Sequence, residues 1–156
     1  MRLLLFTIFA AIMWGQPAKS LLHHTENSFL QISNIYSVNI EDFDNDGKPD
    51  IYLVSFRGIN RLLQNRGNLQ FVDKTIGSGV GGTLNSIGIN NLELGGLAFD
   101  YDNDGSNDII VAGWGNTTQL LRNEGNLKFF VIENYIPFPS KYDFNDAVAA
   151  DINRDG

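Results

Sequence analysis

Carboxylates at alternating positions, closed by a glycine, are the residues of this chain whose types and spacing point to chemistry. The run Asp42-Phe43-Asp44-Asn45-Asp46-Gly47-Lys48-Pro49-Asp50 returns as Asp100-Tyr101-Asp102-Asn103-Asp104-Gly105-Ser106-Asn107-Asp108 and begins again at Asp151-Ile152-Asn153-Arg154-Asp155-Gly156. Like charges held this close are unfavourable unless a cation neutralises them. Hard oxygen donors in a short loop suit Ca2+, which takes roughly 6 to 8 oxygens, whereas Mg2+ demands a tighter octahedron and keeps several waters. Carboxylate ligands would come from Asp42, Asp44, Asp46 and Asp50 in the first loop and from Asp100, Asp102, Asp104 and Asp108 in the second. The main-chain carbonyls of Lys48 and Ser106 would add one oxygen each, and the third copy offers Asp151, Asn153 and Asp155. The glycine in sixth place, Gly47 or Gly105, permits the sharp turn.

The same opening would suit an EF-hand, which needs a bidentate glutamate in twelfth place followed by a helix. Leu53 and Val111 stand there instead. Ile51-Tyr52-Leu53-Val54 and Ile109-Ile110-Val111-Ala112 are short apolar runs rich in β-branched residues, which read as buried strands. Each loop therefore joins two strands. Solvated surface charge is the plainer alternative, and three copies at one spacing argue against it.

A shift of 58 residues lays Asp42 on Asp100 and holds to Phe71 on Phe129, with 14 of the 30 aligned positions identical, so the chain contains an internal duplication. Repeats of this size built only of strands point to propeller blades, which bury their apolar faces against their neighbours. One unit reads as four strands. The first covers Val38 to Glu41, Gly96 to Phe99, or Ala147 to Ala150; the small residues Gly96, Ala98, Ala147 and Ala149 would suit crowded packing near a central axis. The acidic loop and the second strand follow. A third strand carries Leu62-Leu63 or Leu120-Leu121. The turns Asn65-Arg66-Gly67-Asn68 and Asn123-Glu124-Gly125-Asn126 tolerate positive φ, and a fourth strand holds Leu69 to Val72 or Leu127 to Val131. The fold class expected is all-β, made of four-stranded antiparallel β-propeller blades.

The Asp-x-Asp-x-Asp-Gly-x-x-Asp loop, the hydrophobic strand after it and the Asn-x-Gly-Asn-Leu-x-Phe turn together resemble the FG-GAP or VCBS type repeat of integrin alpha-chain propellers and many secreted bacterial proteins. The resemblance covers about Val38 to Gly156. It implies a β-propeller whose blades each hold calcium in the hairpin between their first two strands, with the eight aspartates of the two complete loops as ligands. Two blades and the start of a third fall short of the usual 4 to 8, so the chain reads as an incomplete propeller fragment from the N-terminal part of a longer protein. The domains expected are a signal peptide over 1–18, an N-terminal segment over 19–36, a first repeat over 37–95 with a glycine-rich insertion, a second over 96–146, and a third begun at 147–156.

The signal peptide is read from Arg2, the apolar run Leu3 to Trp14 and the small residues after it; the run is too short to span a bilayer as a helix. The location expected is secreted or extracellular, or the periplasm or cell surface if the source is bacterial. The chain has no cysteine, so calcium would replace disulfides as its fastening. The net charge of −7 is largely local, since 10 of the 18 acidic residues lie in the three loops. The absence of a basic patch argues against nucleic acid as a partner. Gly77-Ser78-Gly79-Val80-Gly81-Gly82 satisfies a dinucleotide-binding pattern, yet no helix pattern follows it. Residues Ile76 to Gly95 read instead as a flexible or inserted segment joining the blades. Asn116-Thr117-Thr118 is a glycosylation sequon.

Catalysis has little footing. His23 and His24 are the only histidines and sit in the N-terminal segment, and the paired carboxylates are committed to a metal. The function expected is a secreted calcium-binding propeller that binds or scaffolds a protein or polysaccharide. The alternatives are the propeller part of an extracellular enzyme whose catalytic residues lie elsewhere, and an adhesion or surface protein.

Overall fold

A computed structural model describes residues 34–68, 70–82, 84–85, 88–89, 92–115, 117–133 and 143–152. The expected signal peptide, the His23-His24 pair, Asn116 of the sequon, and Asn153 and Asp155 lie outside them. Among the described residues there is no helix. None is therefore long and apolar enough to cross a membrane.

Strands β1 (Ile35–Glu41), β2 (Asp50–Ser55), β3 (Arg61–Asn65) and β4 (Phe71–Asp73) form one antiparallel meander in the order β1-β2-β3-β4. After a short ribbon of β5 (Leu84–Asn85) and β6 (Gly88–Ile89), the strands β7 (Glu93–Phe99), β8 (Asp108–Gly113), β9 (Gln119–Asn123) and β10 (Phe129–Val131) repeat it. The duplication extends to the hydrogen-bond register. Glu41 pairs with Asp50 and Phe99 with Asp108, and the irregularity between Ile35 and Ser37 recurs between Glu93 and Gly95.

Alternation along β2 feeds two cores, because successive side chains leave opposite faces of a strand. Tyr52 and Val54, with Leu62 of β3, pack against Ile109, Val111, Leu121 and Phe129 of the second sheet, together with Phe43, Val80 and Leu127. Ile51 and Leu53 point the other way and cluster with Leu63, Phe71, Ile35 and Val38. The blades thus meet face to face, and each fully buried aliphatic or aromatic side chain contributes about 1.5 to 3 kcal/mol.

β7 lies beside β1 and β2, and of the small residues expected in crowded packing Gly96 is the one that meets its neighbours there. A Cβ on Gly96 would stand 2.8 Å from both Val54 Cγ2 and Asn39 Nδ2, and one on Gly95 would stand 2.7 Å from Asn145 O on the other face.

Two elements differ from expectation. The first part of the glycine-rich segment is a packed strap. Ser78 and Val80 are buried, the Phe129 amide donates to Ser78 O at 2.7 Å, and the Asn60 amide donates to Gly81 O at 3.1 Å. Glycine allows it: Gly79 has φ +91, and a Cβ there would fall 2.1 Å from Phe129 O. Residues 147–150, expected as a first strand, form no ladder. In both complete repeats that strand pairs with the one following the acidic loop.

Candidate metal centres

Each acidic loop is a hairpin closed at its base by β-pairing. β1 ends at Glu41, β2 begins at Asp50, and the eight residues between must reverse direction. Reversal is achieved at Asn45 (φ 57) and Gly47 (φ 82), and at Asn103 (φ 58) and Gly105 (φ 89). Asparagine and glycine tolerate these left-handed conformations best.

The first aspartate anchors its loop. Asp42 Oδ1 accepts from the Asp46 amide at 3.1 Å and Oδ2 from the Gly47 amide at 2.7 Å. Asp100 does the same with Asp104 and Gly105, at 3.1 and 2.9 Å. The last aspartate anchors the strands. Asp50 Oδ2 accepts from the Phe43 amide at 3.1 Å and Oδ1 from the Asn65 amide at 2.8 Å. Asp108 accepts from the Tyr101 and Asn123 amides at 2.9 and 2.7 Å.

The outcome is a three-carboxylate cluster in each loop. One oxygen from each of Asp42, Asp44 and Asp50 lies within 4.8 Å of the others, and Asp100, Asp102 and Asp108 form the same group. Three of the expected carboxylates per loop are therefore brought together, and the fourth is not. Asp46 faces Lys48, accepting from its amide at 2.9 Å and its Nζ at 2.5 Å, and Asp104 Oδ1 accepts from the Ser106 amide at 2.8 Å. The Lys48 hydrogen bond holds the Asp46 carboxyl below its ordinary range. Asp151 of the third copy is exposed.

Electrostatics make the clusters uncomfortable without a cation. Burial pushes the Asp50 carboxyl up to about 6, against the pull of the Asn65 and Phe43 amides, and the charges of Asp44 and Asp42 add to the rise. Burial likewise raises Asp108, with Asp102 and Asp104 contributing. Asp44 Oδ1 is buried and accepts no hydrogen bond, as is Gln64 Oε1 beside it. An unpartnered buried carboxylate oxygen among like charges has the chemistry of a cation ligand, so the acidic clusters could hold a metal ion.

Three residues of this neighbourhood escaped the sequence in whole or in part. Gln64 donates from Nε2 to Asp44 Oδ2, and no repeat signal marks it because Arg122 is its counterpart. Asn65 and Asn123 were legible only as turn residues. Each Oδ1 does cap its turn, accepting from Gly67 at 2.8 Å and from Gly125 at 3.0 Å. Each Nδ2 also reaches the acidic loop, donating to Pro49 O at 2.9 Å and to Asn107 O at 3.0 Å.

Two four-stranded antiparallel units in a common register, each opening on an acidic hairpin, define a repeat protein built of propeller-type blades. The chain belongs to the FG-GAP-like repeat family, which it matches over residues 42–90 and 100–156. No curated protein matches it.

Proposed function

We propose that this chain is a secreted β-propeller module whose acidic hairpins bind calcium and whose blades serve to bind or scaffold an extracellular protein or polysaccharide. The observation that carries the calcium assignment is the pair of matching three-carboxylate clusters, one of them containing the unpartnered oxygen of Asp44. Asp42, Asp44 and Asp50, with Asp46 and the Lys48 carbonyl, would hold the ion in the first loop. Asp100, Asp102 and Asp108, with Asp104 and the Ser106 carbonyl, would hold it in the second; Asp151, Asn153 and Asp155 would begin a third set. Calcium supplies a positive charge that converts mutual repulsion into a cross-link between the ends of neighbouring strands, and extracellular calcium suffices for sites of roughly 10⁻⁴ to 10⁻³ M.

Support for a binding role lies at the opposite end of β2. Tyr36, Phe56 and Trp114 form an aromatic row across both blades, with ring centroids 5.5 and 5.9 Å apart. Tyr36 and Trp114 are exposed, Arg57 sits over Phe56, and Trp114 Nε1 donates to Asn145 Oδ1 at 2.8 Å. Aromatic surface with polar groups at its rim suits recognition.

Calorimetric titration of the full chain with calcium, paired with thermal unfolding in calcium and in chelator, tests the metal assignment. Saturable binding that raises the unfolding temperature is expected. A folded chain that takes up no calcium would overturn it.

A further inference from the structure

Resting on the reading of both loops as cation sites, we propose that Asn123 is a positioning residue coupling the two acidic loops, so that a divalent cation in the 100–108 loop strengthens binding of a second in the 42–50 loop. A side-chain amide has two N–H donors, and Asn123 gives one to each loop. Its Nδ2 donates to Asn107 O at 3.0 Å in its own repeat and to Phe43 O at 2.9 Å in the other, 80 residues away. Its main-chain amide meanwhile donates to Asp108 Oδ1 at 2.7 Å. The side chain is 2% exposed.

Phe43 is the receiving end. It lies between Asp42 and Asp44, and its own amide donates to Asp50 Oδ2 at 3.1 Å. Its buried ring packs edge-on against Phe129 of the second blade, with centroids 5.9 Å apart. A second tie runs from Asn45 Nδ2 to Gly105 O at 3.4 Å. The duplication supplies an internal control: Asn65 holds Asp50 Oδ1, Pro49 O and the Gly67 amide, all within its own repeat.

A cation that fixes Asp108 fixes Asn123 with it. The fixed amide then holds the Phe43 carbonyl, and through Phe43 the Asp50 carboxylate, so the first loop meets its cation with part of its ordering already done. Coupling of this kind is reciprocal and typically spans about 5- to 150-fold in affinity.

Each loop has its own reporter, because the Gly47 and Gly105 amides donate to the first aspartate of their respective loops. Calcium titration of the isotope-labelled full chain, followed by the NMR shifts of these two amides, reads the loops separately. Asp102→Ala, which disables the second loop, should raise the calcium concentration at the Gly47 midpoint on the order of tenfold. In an Asn123→Ala background the same change should leave that midpoint where it is, while in an Asn65→Ala background the shift should persist. Asn123→Asp, which keeps the acceptor for Gly125 and loses both donors, serves if the alanine variant does not fold. A Gly47 midpoint indifferent to Asp102→Ala, or a dependence surviving both Asn123 variants, overturns the coupling alone. Neither glycine responding to calcium overturns the assignment of the loops as cation sites, and the coupling with it.

Discussion

Asp50 is held by two amides, crowded by two like charges and buried, so its protonation is balanced between opposing demands. Its carboxyl titrates at about 6 in the folded chain against an ordinary value of 3.8. A raised folded-state value means that the native state holds the proton more tightly than the unfolded one between those limits. The associated stability is therefore fully present below about pH 4 and is lost as pH rises through about 6. Calcium reverses the trend, because the ion and the proton compete for the same oxygens. In chelator, the Asp50 contribution should lower the urea midpoint between pH 4 and pH 7; the increment added by calcium should grow over the same range. An increment equal at pH 5 and pH 7 would show that Asp50 is not a ligand. Asp44 allows a cleaner separation of charge from metal. Asp44→Asn keeps an oxygen for Gln64 but removes one of three clustered charges. The metal-free protein should be at least as stable as the parent. The calcium-dependent gain from the first loop, about 2.7 kcal/mol at a hundredfold excess over Kd, should vanish. Chemical denaturation with and without calcium measures both.

At the scale of elements, the contacts between blades are made by residues with little room for change. Asn60 accepts from the Ser55 amide at 2.8 Å, donates to Tyr52 Oη at 2.8 Å and donates to the buried carboxylate of Glu93 across the interface. Asn60→Ala removes these bonds from fully buried surroundings and should cost roughly 1 to 3 kcal/mol. Gly96→Ala should cost a similar amount, about 1 to 3 kcal/mol, by forcing β7 away from Val54 and Asn39. Equilibrium unfolding of each variant checks both values, and a neutral Gly96→Ala would mean that the blades can separate without loss. Much of this level was legible in the sequence. The apolar runs marked β2 and β8, the Asn-Gly turns adopted the positive φ their residues allow, and Gly96 proved small for the reason its position suggested. The strap over residues 75–82 was not legible, since its glycines suggest freedom and only Thr75, Ser78 and Val80 carry its burial. Glu93 was equally hidden. Its counterpart under the 58-residue shift is Ile35, so the duplication disguised a buried carboxylate that reaches Asn60 of the first blade.

Over the whole molecule, the question is whether two repeated units unfold as two or as one. Arrays of repeats generally behave as chains of nearest-neighbour units, each with its own stability and its own interface. Here the larger core belongs to neither blade. Tyr52, Val54 and Leu62 share it with Ile109, Val111, Leu121 and Phe129, and the Val80 strap closes it. Removing one sheet would expose the buried face of the other, so the interface outweighs what either meander could hold alone. Leu63 offers the test, because it belongs to the outer cluster of the first blade and lies outside the shared core. Leu63→Ala should cost about 2 to 5 kcal/mol. If the blades are one cooperative unit, hydrogen exchange in β8 of the second blade should lose as much protection as exchange in β2 of the first. Loss confined to β1–β4, with β8 unchanged, would show two independently unfolding units. Calcium should then obey the same rule: an ion in either loop should protect the amides of both sheets, since the shared core passes its stabilisation from one to the other.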